Sequence, residues 1–185
     1  MLTGERVRLR AMKKEDLSHF VRWFNDPEVR RHLKIFQPMS LEQEEKWYAD
    51  VLTRPVEEQP LSIEVEEKGE WAFVGNCGFM QINHHDRSAE IGISIGERAF
   101  WNQGYGTEAM RLLVDHGFLN LNLNRVYLHV YATNPRAVRS YEKAGFSVEG
   151  TLREGRYLDG EYVDVIVMGI LKSEWNNRKI GKGTV

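Results

Sequence analysis

Apolar and polar positions change period several times along the chain, and each change marks an element. Val7 and Leu9 alternate with Arg6, Arg8 and Arg10, the period of two that predicts a half-exposed strand over Glu5 to Ala11. Leu17, Phe20, Val21 and Phe24 then recur at helical spacing from Lys14 to Phe24. Asn25-Asp26-Pro27 stops that helix, because proline disfavours helical geometry in the residue before it. Ser40 and Gln43 form a capping-box pattern that opens a second helix over Ser40 to Leu52. Strands are expected at Leu61 to Glu66, Trp71 to Ile82 and Ser88 to Ile95. The turns Glu67-Lys68-Gly69-Glu70 and Asn83-His84-His85-Asp86 join them into an antiparallel meander. Gly75 and Gly78 inside the middle strand predict a bulge or a break.

A glycine loop, Gln103-Gly104-Tyr105-Gly106-Thr107, precedes a helix whose buried stripe is Met110, Leu113, Val114, Gly117, Phe118 and Leu121. A strand follows at Arg125 to Tyr131. Asn134-Pro135 then supplies an N-cap and first-turn proline for a helix that Gly145 ends. Ser147 to Thr151 and Tyr162 to Leu171 read as two closing strands, separated by a polar hairpin with Asp159-Gly160. The expected organisation is one domain over 1–175 and a polar, loose tail over 176–185.

Composition narrows the class without choosing a function. The 185 residues suffice for one core without disulfide or metal support. A single cysteine, Cys77, fits a reducing compartment, and no stretch approaches the ~20 apolar residues of a membrane span or the apolar core of a signal peptide. The expected location is cytoplasmic, with no membrane partner. A net charge of −2 gives no general affinity for nucleic acid. Acids crowd Leu41 to Glu70, where Glu42, Glu44, Glu45, Glu64 and others outnumber Lys46, Arg54 and Lys68. They form either a solvated face or a lure for a cationic substrate.

The glycine loop carries the strongest chemistry. Backbone N–H groups in the first turn of a helix lack carbonyl partners, and the helix dipole is positive there, so the loop suits a phosphate or pyrophosphate. Gly104-Tyr105-Gly106-Thr107-Glu108-Ala109 also fits G-x-G-x-x-A, but no Asp or Glu lies between Asp115 and Glu142 to hold a dinucleotide ribose. No Gly-Lys-Ser/Thr follows, against a nucleotide P-loop. A glycine turn with no ligand stays open as a reading. Arg136, Arg139 and Lys143 recur at spacings that place them on one basic helix face. His84, His85 and Asp86 match no common metal spacing, and a turn explains them, so no metal is expected.

The element order, the glycine loop, and the run Asn134, Ala137, Tyr141, Glu142, Lys143, Gly145 and Phe146 resemble the GNAT superfamily of N-acetyltransferases over nearly the whole chain. Gly104 to Ala109 looks like that family's acetyl-CoA pyrophosphate loop. The opening Gly-Glu-Arg-Val-Arg-Leu-Arg and the run from Trp101 to Ala109 resemble ribosomal-protein N-terminal acetyltransferases, whereas Ile82 to Glu90 is similar to spermidine N-acetyltransferases. The resemblance implies an α/β (α+β) fold. Its central sheet would be mixed and mostly antiparallel, with about seven strands, about four flanking helices and a splayed strand pair holding the cofactor.

It implies direct acetyl transfer from acetyl-CoA to a primary amine, a protein N-terminus or a polyamine. A non-catalytic acyl-CoA-binding regulatory module, or an acetylase of amino sugars or antibiotics, is the alternative. The protein would be a monomer or homodimer. Glu90 is the expected general base, its rival role being an ion pair with Arg87 or Arg125, and Tyr141 the expected general acid. Cofactor contacts are expected at Ile93, Ser94, Ile95, Gln103, Gly104, Tyr105, Gly106, Thr107, Asn134, Arg136 and Lys143. One departure stands out: Trp101 occupies the position where the family often has Arg or Gln, so side-chain help to the phosphates is missing there. Cys77 as an acyl-accepting nucleophile has no base nearby in sequence and is expected to be a buried small residue.

Overall fold

A computed structural model describes residues 1–180. Its elements are β1 (Leu2–Thr3), β2 (Val7–Ala11), α1 (Leu17–Phe24), α2 (Pro27–Arg30), α3 (Leu41–Val51), β3 (Leu61–Glu67), β4 (Glu70–Asn83), β5 (Ser88–Ile95), α4 (Tyr105–Leu119), β6 (Arg125–Tyr131), α5 (Pro135–Ala144), β7 (Ser147–Leu158), β8 (Glu161–Leu171) and α6 (Lys172–Ile180). The strands form one eight-stranded sheet in the order β1-β2-β3-β4-β5-β6-β8-β7. All neighbours are antiparallel except β5 and β6. A mostly antiparallel sheet excludes the dinucleotide-binding alternative, which needs a parallel one.

The expected elements are present, and the extra ones have local causes. Pro27 ends α1 and also begins α2, where Asp26 caps the Glu28 N–H at 2.9 Å. The polar hairpin after Thr151 is itself strand: β7 and β8 extend to Leu158 and Glu161, with a bulge between Leu152 and Arg156. The expected loose tail is helical as far as Ile180, and 181–185 lie outside the described residues. In β4 a bulge does form without breaking the strand. Ile63 pairs with Gly75 and Glu64 with Phe73, which leaves Val74 as the extra residue.

That bulge sits between the two apolar clusters. Val74 lies in the cluster that joins the sheet to Met110, Leu113 and Phe118 of α4, and to Tyr141 and Ala144 of α5. Phe73 instead packs with Leu17, Phe20, Trp23 and Val29 of the first two helices. Successive strand residues point to opposite faces, so one dipeptide serves both clusters. Phe20 is edge-on to Trp23, Trp47 and Phe73, and its full burial is worth about 1.5–3 kcal/mol.

The acidic run is only partly a solvated face. Glu64 is buried between Arg8 and Arg10, with both contacts at 2.6 Å. Arg10 also forks onto Asp16 at 2.7 and 2.8 Å, and Ser62 donates to the same carboxylate. Burial pushes Asp16 and Glu64 up, but together Arg10, the Lys13 N–H and Ser62 outweigh it at Asp16, and Arg10 and Arg8 at Glu64, leaving both lowered. Glu44 is 3% exposed, and its Oε2 has no partner among the described residues.

Candidate active site

Pairing between β5 and β6 covers only Ser88 with Arg125, Ala89 with Val126 and Glu90 with Tyr127. Beyond that point β5 stays with β4, matching Ile93 to Cys77 and Ile95 to Gly75, while β6 stays with β8 through Tyr131. Gly75 makes the first choice possible: a Cβ there would lie 2.0 Å from the Ser94 carbonyl oxygen. A cavity of about 860 Å³ opens between the diverging strands. One edge of β5 beyond Glu90 faces it without a strand partner. Its wall includes all of Glu90 to Ile95, so Ile93 and Ile95 border the cavity although they also pack against the core.

Gly104 begins α4 in the left-handed region, φ 88°, which glycine adopts without strain, and no side chain caps the helix. The first-turn N–H groups of α4 are thus left for a ligand. Gly104, Tyr105, Gly106 and Thr107 all line the cavity. A Cβ on Gly106 would meet Ile95 and Ser140 at 3.8 Å, ordinary contact, so packing within the protein does not demand glycine there. Thr107 and Ser140 share a hydroxyl hydrogen bond of 2.8 Å that ties α4 to α5. Gln103 stands apart from these residues. Its side chain donates to the Ala99 carbonyl at 2.7 Å, and it does not line the cavity, whereas Asn102 does.

Trp101 is not an empty place in the phosphate grip. Its Nε1 donates to the Ile95 carbonyl at 2.7 Å, and the Arg136 guanidinium lies 3.9 Å above its ring. Arg136 has no carboxylate partner among the described residues, and burial lowers its pKa. A half-buried guanidinium without a counter-charge beside a helix start is a site for an anion. His32 lies close enough that burial, Arg136 and Arg31 all disfavour its protonation, and its Nδ1 has no hydrogen-bond partner among the described residues. Arg139 and Lys143 also border the cavity.

Glu90 pairs with neither expected arginine. Arg87 donates to Asn122 at 2.8 Å and Arg125 forks onto Glu149, while Glu90 Oε1 meets His129 Nδ1 at 2.9 Å. Tyr141 lines the cavity and its hydroxyl makes no protein hydrogen bond among the described residues; burial pushes that hydroxyl up to about 12. Asn134 caps α5 through the Ala137 N–H at 3.1 Å and borders the same space. Cys77 is buried, its thiol pushed up to about 12, and is no nucleophile. His84 and His85 lie in the turn between β4 and β5, outside the cavity lining.

His129 and His32 escaped the sequence reading. A signal for His129 exists in the alternation of β6, where Val126, Leu128 and Val130 are buried, leaving Tyr127, His129 and Tyr131 to share the other face. His32 follows a one-turn helix with no periodicity that would announce it.

A left-handed glycine at a helix start, a splayed strand pair and a buried tyrosine across the gap define a GNAT-type acetyltransferase fold. The acetyltransferase (GNAT) domain matches residues 6–147, and the chain belongs to this family. It is 33% identical to an uncharacterized N-acetyltransferase, p20, of Bacillus licheniformis, over 94% of this chain and 97% of that one. Spermidine N(1)-acetyltransferase of Escherichia coli is 30% identical over 95% of this chain and 91% of its own. The crystal structure of Vibrio cholerae spermidine N-acetyltransferase with CoA and spermine superposes with a TM-score of 0.83 at 30% identity, covering 94% of this chain and 100% of that one. The protein is an N-acetyltransferase that uses acetyl-CoA. Among the described residues no helix is long and apolar enough to cross a membrane.

Proposed function

We propose that the protein acetylates a primary amine of a polyamine in the cytoplasm, binding acetyl-CoA and acceptor together in the cavity. The observation that carries this reading is the cavity itself. The α4 start and Arg136 gather anion-binding groups at one part of its wall, and Glu90 brings negative charge to another. Charge of the first sign suits the phosphates of CoA, and charge of the second an ammonium. The named activity of the Escherichia coli relative and the spermine in the Vibrio cholerae structure support a polyamine over a protein N-terminus.

The residues present fit the cofactor. Gly104 to Thr107 and Arg136 would hold the pyrophosphate, Asn134 and the open edge of β5 from Ile93 to Ile95 the pantetheine arm, with Lys143 at the margin. Bound acetyl-CoA supplies a thioester. Glu90 and its partner His129 take the proton of the incoming ammonium, and the Tyr141 hydroxyl, neutral at physiological pH, donates to the departing thiolate. Release of CoA thiol with spermidine, spermine and an N-terminal peptide as acceptors tests the reading. Polyamine turnover should exceed peptide turnover; the reverse order rejects the acceptor, and no turnover with any amine rejects the activity.

A further inference from the structure

The Glu90 and His129 side chains meet just beyond the last β5–β6 pair, so the contact spans the two strands where they begin to part. Both side chains line the cavity, Glu90 15% and His129 32% exposed. A carboxylate can only accept, so the hydrogen of this bond belongs to His129 Nδ1. That fixes the neutral tautomer and makes Nε2 the basic nitrogen. The two nitrogens lie on opposite sides of the imidazole ring. With Nδ1 held toward β5, Nε2 is directed away from Glu90, and it has no hydrogen-bond partner among the described residues.

We infer that His129 Nε2 takes the first proton from the acceptor ammonium and that Glu90 is the positioning residue that orients the ring and stabilises its charged form. This rests on the acetyltransferase reading above and divides the work within the pair. The arrangement follows the logic of a base oriented by a third group. Imidazole is also the better matched base, since general-base catalysis is most efficient when the base titrates near the working pH; a carboxylate titrates lower by about two units. Glu90 has one oxygen already committed to the ring.

The proton balance closes. The ammonium gives one proton to Nε2, which passes it to solvent. The freed amine attacks the thioester carbon, the N–C bond forms and the C–S bond breaks. The nitrogen loses its second proton as the amide forms, the thiolate gains one from Tyr141, and the second amine proton restores the Tyr141 hydroxyl by way of solvent, so one proton is released per turnover. The titratable or charged groups around His129 are Glu90 from β5 and, on the same face of its own strand, Tyr127 with rings 5.9 Å apart and Tyr131; Tyr141 of α5 and Arg156 of β7 line the same cavity. Opposite it, β8 presents Val167, which carries no charge.

The test is the pH dependence of kcat/KM for wild type, His129→Gln and Glu90→Gln, with spermidine as the amine and thermal melts to confirm folding. His129→Gln should lose about 10²–10⁴-fold together with the limb of the wild-type pH profile that the base sets. Glu90→Gln should keep that limb, with a smaller loss. A His129→Gln rate within threefold of wild type, with the limb intact, overturns the inference. Nitrogen NMR of the His129 ring decides independently of turnover: an Nδ1-protonated tautomer supports it, and an Nε2-protonated one overturns it. Absence of wild-type turnover with any amine would count against the acetyltransferase reading, and the tautomer would still judge this one.

Discussion

The guanidinium of Arg136 lies over Trp101, its central carbon 3.9 Å from the ring centroid, while the indole nitrogen of Trp101 is pinned to the Ile95 carbonyl. A cation from α5 is thereby carried to the glycine loop from a helix thirty-odd residues later in the chain. Stacking of this kind is worth about 0.5–2 kcal/mol, or roughly 2–30-fold in affinity. Trp101→Leu should weaken CoA binding by that factor in calorimetry, and Arg136→Ala by at least as much. The double variant should bind little worse than Arg136→Ala alone, because the two act as a unit; additive losses would show that Trp101 acts on its own.

Tyr141 makes a sharper kinetic prediction. Burial pushes its hydroxyl up to about 12, so the phenol stays protonated through the neutral range, and its charged form costs the fold only at strongly alkaline pH. Tyr141→Phe removes the donor while keeping the ring that packs edge-on near Phe146. We expect kcat to fall by about 10²–10⁴-fold with CoA affinity nearly unchanged. A variant that loses affinity but keeps kcat would assign Tyr141 to binding.

The order and type of most elements were legible because periodicity is a local property, and so were the loop and Asn134 caps. What one element does to another was not. Trp101 looked like a missing phosphate ligand because its role depends on Arg136, which reaches it only after α5 folds back beside α4. The partner of Glu90 was not legible for the same reason, since His129 reaches it across the β5–β6 boundary, and the rival ion pair is absent because Arg87 and Arg125 are taken by Asn122 and Glu149. The place of Gln103 in the loop motif was legible, but not that its side chain donates to the Ala99 carbonyl. Pro27 was legible as a stop and not as a start, although both follow from its fixed φ.

Glu44 tests the cost of a buried carboxylate. Desolvation raises its pKa, and no hydrogen bond offsets this at Oε2. The stability that goes with the neutral form is fully present below the unfolded value of about 4.3 and is lost as pH rises through the raised folded value. Glu44→Leu removes that loss. At neutral pH it should gain about 1–2 kcal/mol, roughly 2–8 °C in Tm, with the gain shrinking toward pH 4. A gain independent of pH would mean that packing and not charge is responsible.

Gly106 separates the needs of the fold from those of the ligand. Its absent Cβ would touch Ile95 and Ser140 only at 3.8 Å, and it lies in the first turn of α4, where alanine is the better helix former by about 0.5–1 kcal/mol. Gly106→Ala should therefore melt at or above the wild-type temperature in the absence of ligand. If the first-turn backbone of α4 receives the pyrophosphate, the added methyl stands where the phosphate must approach, and CoA affinity should fall by tenfold or more, about 1.4 kcal/mol. Pantetheine, which lacks the phosphates, should lose much less. Equal losses for CoA and pantetheine would move the phosphates away from this helix start, and a lower melting temperature with unchanged affinity would make Gly106 a packing residue after all.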